Sequence, residues 1–273
     1  MTRPRTEFSL PRYYLAGARI GFQRELQYRA ATTMMLIGFL IEPVVYLAVW
    51  TTVSEAQGGQ IAGYTTGSLA AYYIVWTLVR VYNLAFDPSA WEWRIREGRM
   101  NDFLSQPIHP FHRDASFFIG SKFVWTAIWF PVAVVLTFAF RPTIEWRLLN
   151  ILAFVVAIWG GFAVRFVLLY LMGMINFWTT RGAAVFGIII AGELLLSGRL
   201  VPLQLMPEWV EALAGWFPFK WTFQFPIEVF IGRLTPAEIA AGIGSQLLWA
   251  IGMGLVFVWV WRYAIKRYAA VGN

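Results

Sequence analysis

Six long apolar runs, near residues 33–53, 67–86, 117–140, 148–175, 183–203 and 243–264, constrain this chain more than any other feature. A bilayer core about 30 Å thick takes roughly 20 apolar helical residues to cross. Inside lipid the backbone polar groups must be paired within their own segment, so the runs predict helices. A β-barrel would alternate apolar and polar residues over segments of about ten, and these runs do not alternate. Composition agrees, with 59% hydrophobic residues and only 14% charged, against roughly a quarter charged in soluble domains. The expected fold is therefore all-α and polytopic, a single transmembrane domain over residues 1–273.

The same residues exclude most site chemistry. Zero cysteines remove disulfides, thiolate metal sites and a cysteine nucleophile. The only histidines, His109 and His112, flank a proline and lack further ligands, so no metal site is expected. Gly120-Ser121-Lys122 lacks the first glycine of a phosphate-binding loop and opens an apolar run. No catalytic residue and no bound cofactor are expected. The net charge of +7 comes from basic residues at the ends of apolar runs rather than from one block, which points to lipid head groups and not nucleic acid.

Six crossings sort the basic residues by side. Fifteen of the 22 Lys and Arg residues fall on the side of the N-terminus, among them Arg3, Arg5, Lys122 and Arg181, and five, including Arg199, fall opposite. That asymmetry predicts both termini in the cytoplasm. The polar first thirty residues have no signal-peptide core or cleavage site, so the N-terminus is expected to be retained. Trp50, Trp76, Trp125 and Trp129 are expected near head-group level.

Three segments are not crossings. In 12–29, Leu15, Ala18, Phe22 and Leu26 form one apolar stripe with arginines on other faces, an amphipathic helix suited to the cytoplasmic interface. The 87–116 loop is long for a connection. It mixes Arg94, Arg96, Glu97, Arg99 and Asp102 with the apolar Ile95, Met100, Phe103 and Leu104, which reads as a short docking helix or a solvated loop. The stretch 197–242 has five prolines yet is apolar; Pro207 sits well at a helix start. Trp209, Leu213 and Trp216 then repeat at helical spacing, and the chain breaks near Gly215 and Pro218-Phe219. Short helices dipping into the outer leaflet and returning over 204–232 are expected.

Charges inside apolar runs cost at least about 2.5 kcal/mol each on insertion scales and therefore seek partners. Glu42, Arg80, Arg165 and Glu193 are such charges. Counting depth along the helices predicts Arg165 paired with Glu193, and Glu42 on a central pathway or a subunit contact.

The order of parts, together with IREGRMNDFLSQPI at 95–108, LSGRLVPLQLMPEW at 196–209, FPF at 217–219 and PIEVFIG at 226–232, resembles the ABC-2 class of ABC transporter permeases over essentially the whole chain. It looks closest to a bacterial branch of exporter permeases, multidrug-type included, in which two different permeases accompany one ATPase. The resemblance implies an ABC-2 exporter fold in the bacterial inner membrane and a non-catalytic subunit. Its partners would be two copies of an ATP-binding subunit, which hold the ATP and Mg, and a second permease, in a heterodimer rather than a homodimer. Arg96, Glu97, Gly98, Arg99, Met100, Phe103 and Leu104 would form the coupling helix seated in the ATPase. The substrate would be amphipathic, lipid-like or drug-like, moved out of the cytoplasm or inner leaflet. The alternative is a secondary transporter or channel without an ATPase; those often carry paired broken helices, and only one broken region is present.

Overall fold

A computed structural model describes residues 9–85, 89–179 and 182–268. Arg3, Arg5, Asp87, Pro88 and Arg181, which entered the readings of topology and of the loop, lie outside the described residues. The order is α1 (Leu10–Gln27), α2 (Arg29–Ala56), β1 (Gln60–Ile61), β2 (Tyr64–Thr65), α3 (Thr66–Asn83), α4 (Ser89–Arg96), α5 (Met100–Leu104), α6 (Pro110–Phe140), α7 (Leu148–Met174), α8 (Gly182–Leu196), α9 (Glu208–Ala214), α10 (Phe219–Thr222), α11 (Gln224–Ile231) and α12 (Pro236–Arg267). The protein is helical; among the described residues the strands are one two-residue antiparallel pair, with Ile61 opposite Tyr64.

Local chemistry sets the helix starts. Thr65 accepts the Ser68 N–H at the head of α3. Thr235 and Glu238 form a reciprocal capping box at α12, with Pro236 at its first position. His109 accepts the Phe111 N–H before Pro110 opens α6.

Among the described residues three helices are long and apolar enough to cross a membrane: Pro110–Phe140, Leu148–Phe177 and Pro236–Arg267. Their outward faces carry bare apolar side chains, such as Phe138 at 80% and Leu248 at 73% exposure, as lipid rather than water would favour. Of the six expected crossings, the other three do not reach that length and hydropathy among the described residues. In α2 the apolar stretch on described residues is Val44–Ala56. The 67–86 run becomes α3, an 18-residue helix with Tyr72, Tyr73 and Thr77 buried along it. It is a core element, wrapped by α2, α6, α7 and α11. The 183–203 run stops at Leu196; 15 residues make roughly 22 Å of helix, and the chain then turns at Gly198 with φ +76°.

Two further expectations change with burial. Trp76 and Trp125 sit inside the protein, not at a surface belt, and Trp76 lies against Phe223 ahead of α11. Lys122, counted as a head-group charge, is fully buried in α6.

The α1 helix packs on the first half of α6 through small residues. A β-carbon on Gly17 or Gly21 would collide with Ser116 or the Phe117 carbonyl, and one on Gly120 with the Ala18 carbonyl. The backbones therefore approach as in other small-xxx-small contacts. Leu15, Phe22 and Leu26 of the expected stripe remain exposed, while Ala18 turns toward α6.

Candidate functional site

Two polar regions and the segment 204–232 hold the site residues expected from the sequence. At the end of the bundle where α6 begins, α4 and α5 are held to α6 and α7. Trp91 is fully buried and lies on Gly173, where any β-carbon would meet its indole. Arg94 donates two hydrogen bonds to Asp114, at 2.7 and 3.2 Å, and the Tyr170 hydroxyl donates a third at 2.6 Å. Burial alone would lower the Arg94 pKa; the bonds and charge of Asp114 outweigh it, and the net direction is up. Arg94 and Arg113 both lie over the Phe103 ring, at 4.4 and 4.3 Å.

Between α4 and α5 the chain turns at Gly98, whose φ of +66° suits glycine, and Tyr268 after α12 donates to its carbonyl at 3.2 Å. Arg96, Glu97 and Arg99 around this turn are exposed. Arg96 pairs with Glu92 at 3.1 Å, and Arg99 stands 4.0 Å from Asp102. Met100 is fully buried, and Phe103 and Leu104 pack beside it in the same cluster. The apolar residues of this segment thus face the bundle, and its outward surface is charged.

The second polar region lies inside the bundle. Glu42 of α2 meets two cations, Arg80 of α3 at 2.5 Å and Arg199 after α8 at 3.2 Å. Both guanidiniums also lie over the Trp76 ring. Arg165 of α7 forms an ion pair with Glu193 of α8, the partner that depth counting assigns it. Arg165 also donates to the Asn83 carbonyl at 2.9 Å. Lys122 donates to the carbonyls of Val81 and Leu84, with the rings of Trp125 and Phe162 around its ammonium. Two buried cations therefore hold the last carbonyls of α3, where the helix dipole is negative. Glu42, Arg80, Arg165 and Glu193 belong to one neighbourhood, with Arg199 as its fifth member. Three arginines face two glutamates.

The segment 204–232 reaches deep. Asn83 donates to the Thr222 carbonyl at 2.7 Å, and a β-carbon on Gly161, midway along α7, would touch the Thr222 backbone. α10 therefore sits at the middle of the bundle, and α11 returns toward the end where α7 begins. Buried Glu228 on α11 accepts from Tyr64, Gln204 and Gln224 at 3.0, 2.7 and 3.0 Å. Pro207 precedes α9, and Pro218 and Phe219 open α10. Trp209 and Trp216 are 68% and 80% exposed, so this stripe has no cover among the described residues.

A family model described as ABC-2 family transporter protein matches residues 40–272. The chain belongs to the ABC-2 transporter family. No curated protein matches it. The family match takes in the α4–α5 turn, both polar regions and the segment 204–232, and it begins after α1. Among the described residues of this ABC-2 protein, no three His, Cys, Asp or Glu side chains gather as a metal site would require.

Several partners escaped the sequence reading. Arg199 was placed with the charges outside the membrane, because the apolar run hid the early end of α8; Ser197-Gly198 was the available signal. Asp114 and Tyr170 sit on different helices and have no common motif. The α1–α6 contact was legible as Gly17-x-x-x-Gly21 facing Ser116-x-x-x-Gly120.

Proposed function

We propose that this chain is the membrane subunit of an ATP-driven exporter. In this reading it crosses the bacterial inner membrane six times with both termini in the cytoplasm, forming one permease domain over residues 1–273. α2, α3 and α8 complete the crossings inside an assembly, where a second permease covers what one chain leaves bare. The turn at Arg96, Glu97, Gly98 and Arg99 seats in a separate ATP-binding subunit, present in two copies, which holds the nucleotide and Mg. Met100, Phe103 and Leu104 anchor that turn from behind. The 204–232 segment dips from the outer side and closes the pathway between the two permeases. Glu42, Arg80, Arg165 and Glu193 stand near that pathway, and Pro207, Trp209, Trp216, Pro218 and Phe219 shape its outer end. The passenger is amphipathic, lipid-like or drug-like, taken from the cytoplasm or inner leaflet.

The observation that carries this reading is the mounting of the α4–α5 turn. Its charged residues point out, while Trp91, Met100 and the Arg94–Asp114–Tyr170 bonds fix it to α6 and α7. A solvated connecting loop needs no such anchorage. Motion delivered to the turn passes into membrane-length helices with little slack.

Co-expression with an ATP-binding subunit tests it. The ATPase co-purifies with the wild-type chain and is lost from a Glu97→Arg, Arg99→Glu variant whose thermal midpoint is unchanged. Equal retention by that variant refutes the coupling role, and cargo movement by the purified chain alone would establish the ATPase-independent reading instead.

A further inference from the structure

The junction of α1, the α4–α5 segment and the start of α6 encloses a cavity of about 440 Å³ that the transport reading leaves unused. Its wall carries three guanidiniums, Arg24, Arg94 and Arg113, and one carboxylate, Asp114. Arg94 is committed to Asp114 through two hydrogen bonds, so the surplus is Arg24 and Arg113. Both are exposed, and neither forms an ion pair with a carboxylate among the described residues. Arg24 lies over Phe117 at 5.2 Å and Arg113 over Phe103 at 4.3 Å. Aromatic faces position both cations while leaving their N–H donors available.

The rest of the wall is apolar where it meets α1. Ile20 and Phe117 border the cavity, and Ile20 is 61% exposed, with Leu15 and Phe22 of the same helix at 74% and 40%. Phe117 lies two turns into α6, one of the membrane-length helices. The cavity therefore opens where hydrocarbon gives way to head groups, with cations on one side and bare apolar surface on the other.

We propose that this cavity binds the phosphodiester head group of an anionic glycerophospholipid of the adjoining leaflet, with Arg24 and Arg113 as its ligands and the Ile20–Phe22 surface of α1 along its acyl chains. Paired guanidiniums match phosphate oxygens by charge-assisted hydrogen bonds. The phosphate supplies the charge that the site lacks. Because α1 and α5 both border the cavity, a bound lipid ties the interfacial helix to the α4–α5 segment. The inference rests on the membrane placement of α6 and not on the transport reading, so it stands or falls independently of ATPase binding.

The full chain purified in mild detergent is incubated with dioleoylphosphatidylglycerol or dioleoylphosphatidylcholine, and bound lipid is counted by native mass spectrometry. The wild-type chain retains phosphatidylglycerol in preference to phosphatidylcholine. Arg24→Gln with Arg113→Gln lowers that retention by roughly ten- to thirtyfold, and Arg267→Gln, at the end of α12, does not. Ala16→Phe, which fills the cavity without altering charge, lowers it as well. Equal retention of the two lipids, or retention unaffected by the double substitution or by Ala16→Phe, overturns the proposal. So does displacement of the lipid by millimolar inorganic phosphate, which would identify the site as one for free phosphate.

Discussion

The two charge networks of this protein are built from the same residue types and differ in whether their charges balance. Where α6 begins, one carboxylate meets one guanidinium: Asp114 is 9% exposed, Arg94 13%, and Tyr170 fills a remaining acceptor site. Inside the bundle, Glu42 is 29% exposed and shared between Arg80 and Arg199. The first network is closed and holds α4 on the bundle. The second is open and keeps a cation to spare. Burial of a matched pair serves rigidity, whereas a surplus cation beside a partly exposed carboxylate leaves work for a partner or a passenger.

The sharpest way to break this comparison is to remove the carboxylate from each network. Asp114→Ala leaves Arg94 buried without its anion, and such truncations cost about 3–5 kcal/mol. The expected outcome is a large fall in thermal midpoint and in monodisperse yield, with most of the loss recovered in Arg94→Met, Asp114→Leu. Glu42→Gln should cost less, about 1–2 kcal/mol, because the amide oxygen still accepts hydrogen bonds from Arg80 and Arg199. A fall for Glu42→Gln as large as that for Asp114→Ala would show the second network to be closed as well.

Double-mutant cycles sharpen the contrast by a smaller margin. The Arg94–Asp114 coupling should reach about 2–3 kcal/mol, since among the described residues neither group has another charged partner within ion-pair distance. The Glu42–Arg80 coupling should stay near 1 kcal/mol, because Arg199 remains on Glu42 when Arg80 is removed. Unfolding of the four variants in each cycle, followed in one detergent, gives both values. Adding Arg199→Gln should raise the Glu42–Arg80 coupling; no change would mean that the carboxylate is not shared.

The two networks were unequally legible in the sequence. A charge in an apolar run is visible by itself, so Glu42, Arg80, Arg165 and Glu193 stood out, and depth counting could pair Arg165 with Glu193. Arg199 could not be paired with Glu42, because that contact depends on α8 ending at Leu196 within an apolar run that continues to residue 203. Hydropathy also left the surroundings of α3 unread. It reports apolar content and cannot distinguish a helix facing lipid from one wrapped by other helices. Lys122 looked like a topological marker for the same reason, since only the fold brings the end of α3 to it. In the α4–α5 segment Met100 faces inward, which five residues of helix have too little periodicity to reveal, since they do not tell an anchor from a docking surface.

The smallest expected effect tests the closed network through its neighbour, His109. Its imidazole lies 4.3 Å from the Trp261 ring and 5.4 Å from Phe257, while its Nδ1 accepts the Phe111 N–H at the start of α6. Burial, with His112 nearby as a lesser cause, pushes its pKa down to about 4. The cap requires a neutral acceptor, and a charged ring would lose solvation among the aromatics. Above an unfolded-state pKa of about 6.5 both states are neutral, and His109 adds no pH dependence. As pH falls from there toward about 4 the unfolded chain takes the proton first, so stability drops across that window and levels off below it. Partial exposure of the ring keeps the drop to about 1 kcal/mol. In a His112→Gln background His109 is the sole histidine, and its ring resonance should titrate well below the free value. His109→Asn, which retains a capping acceptor, should flatten the thermal midpoint between pH 6.5 and 4; an unaltered slope would assign the acid sensitivity elsewhere and leave this junction indifferent to pH.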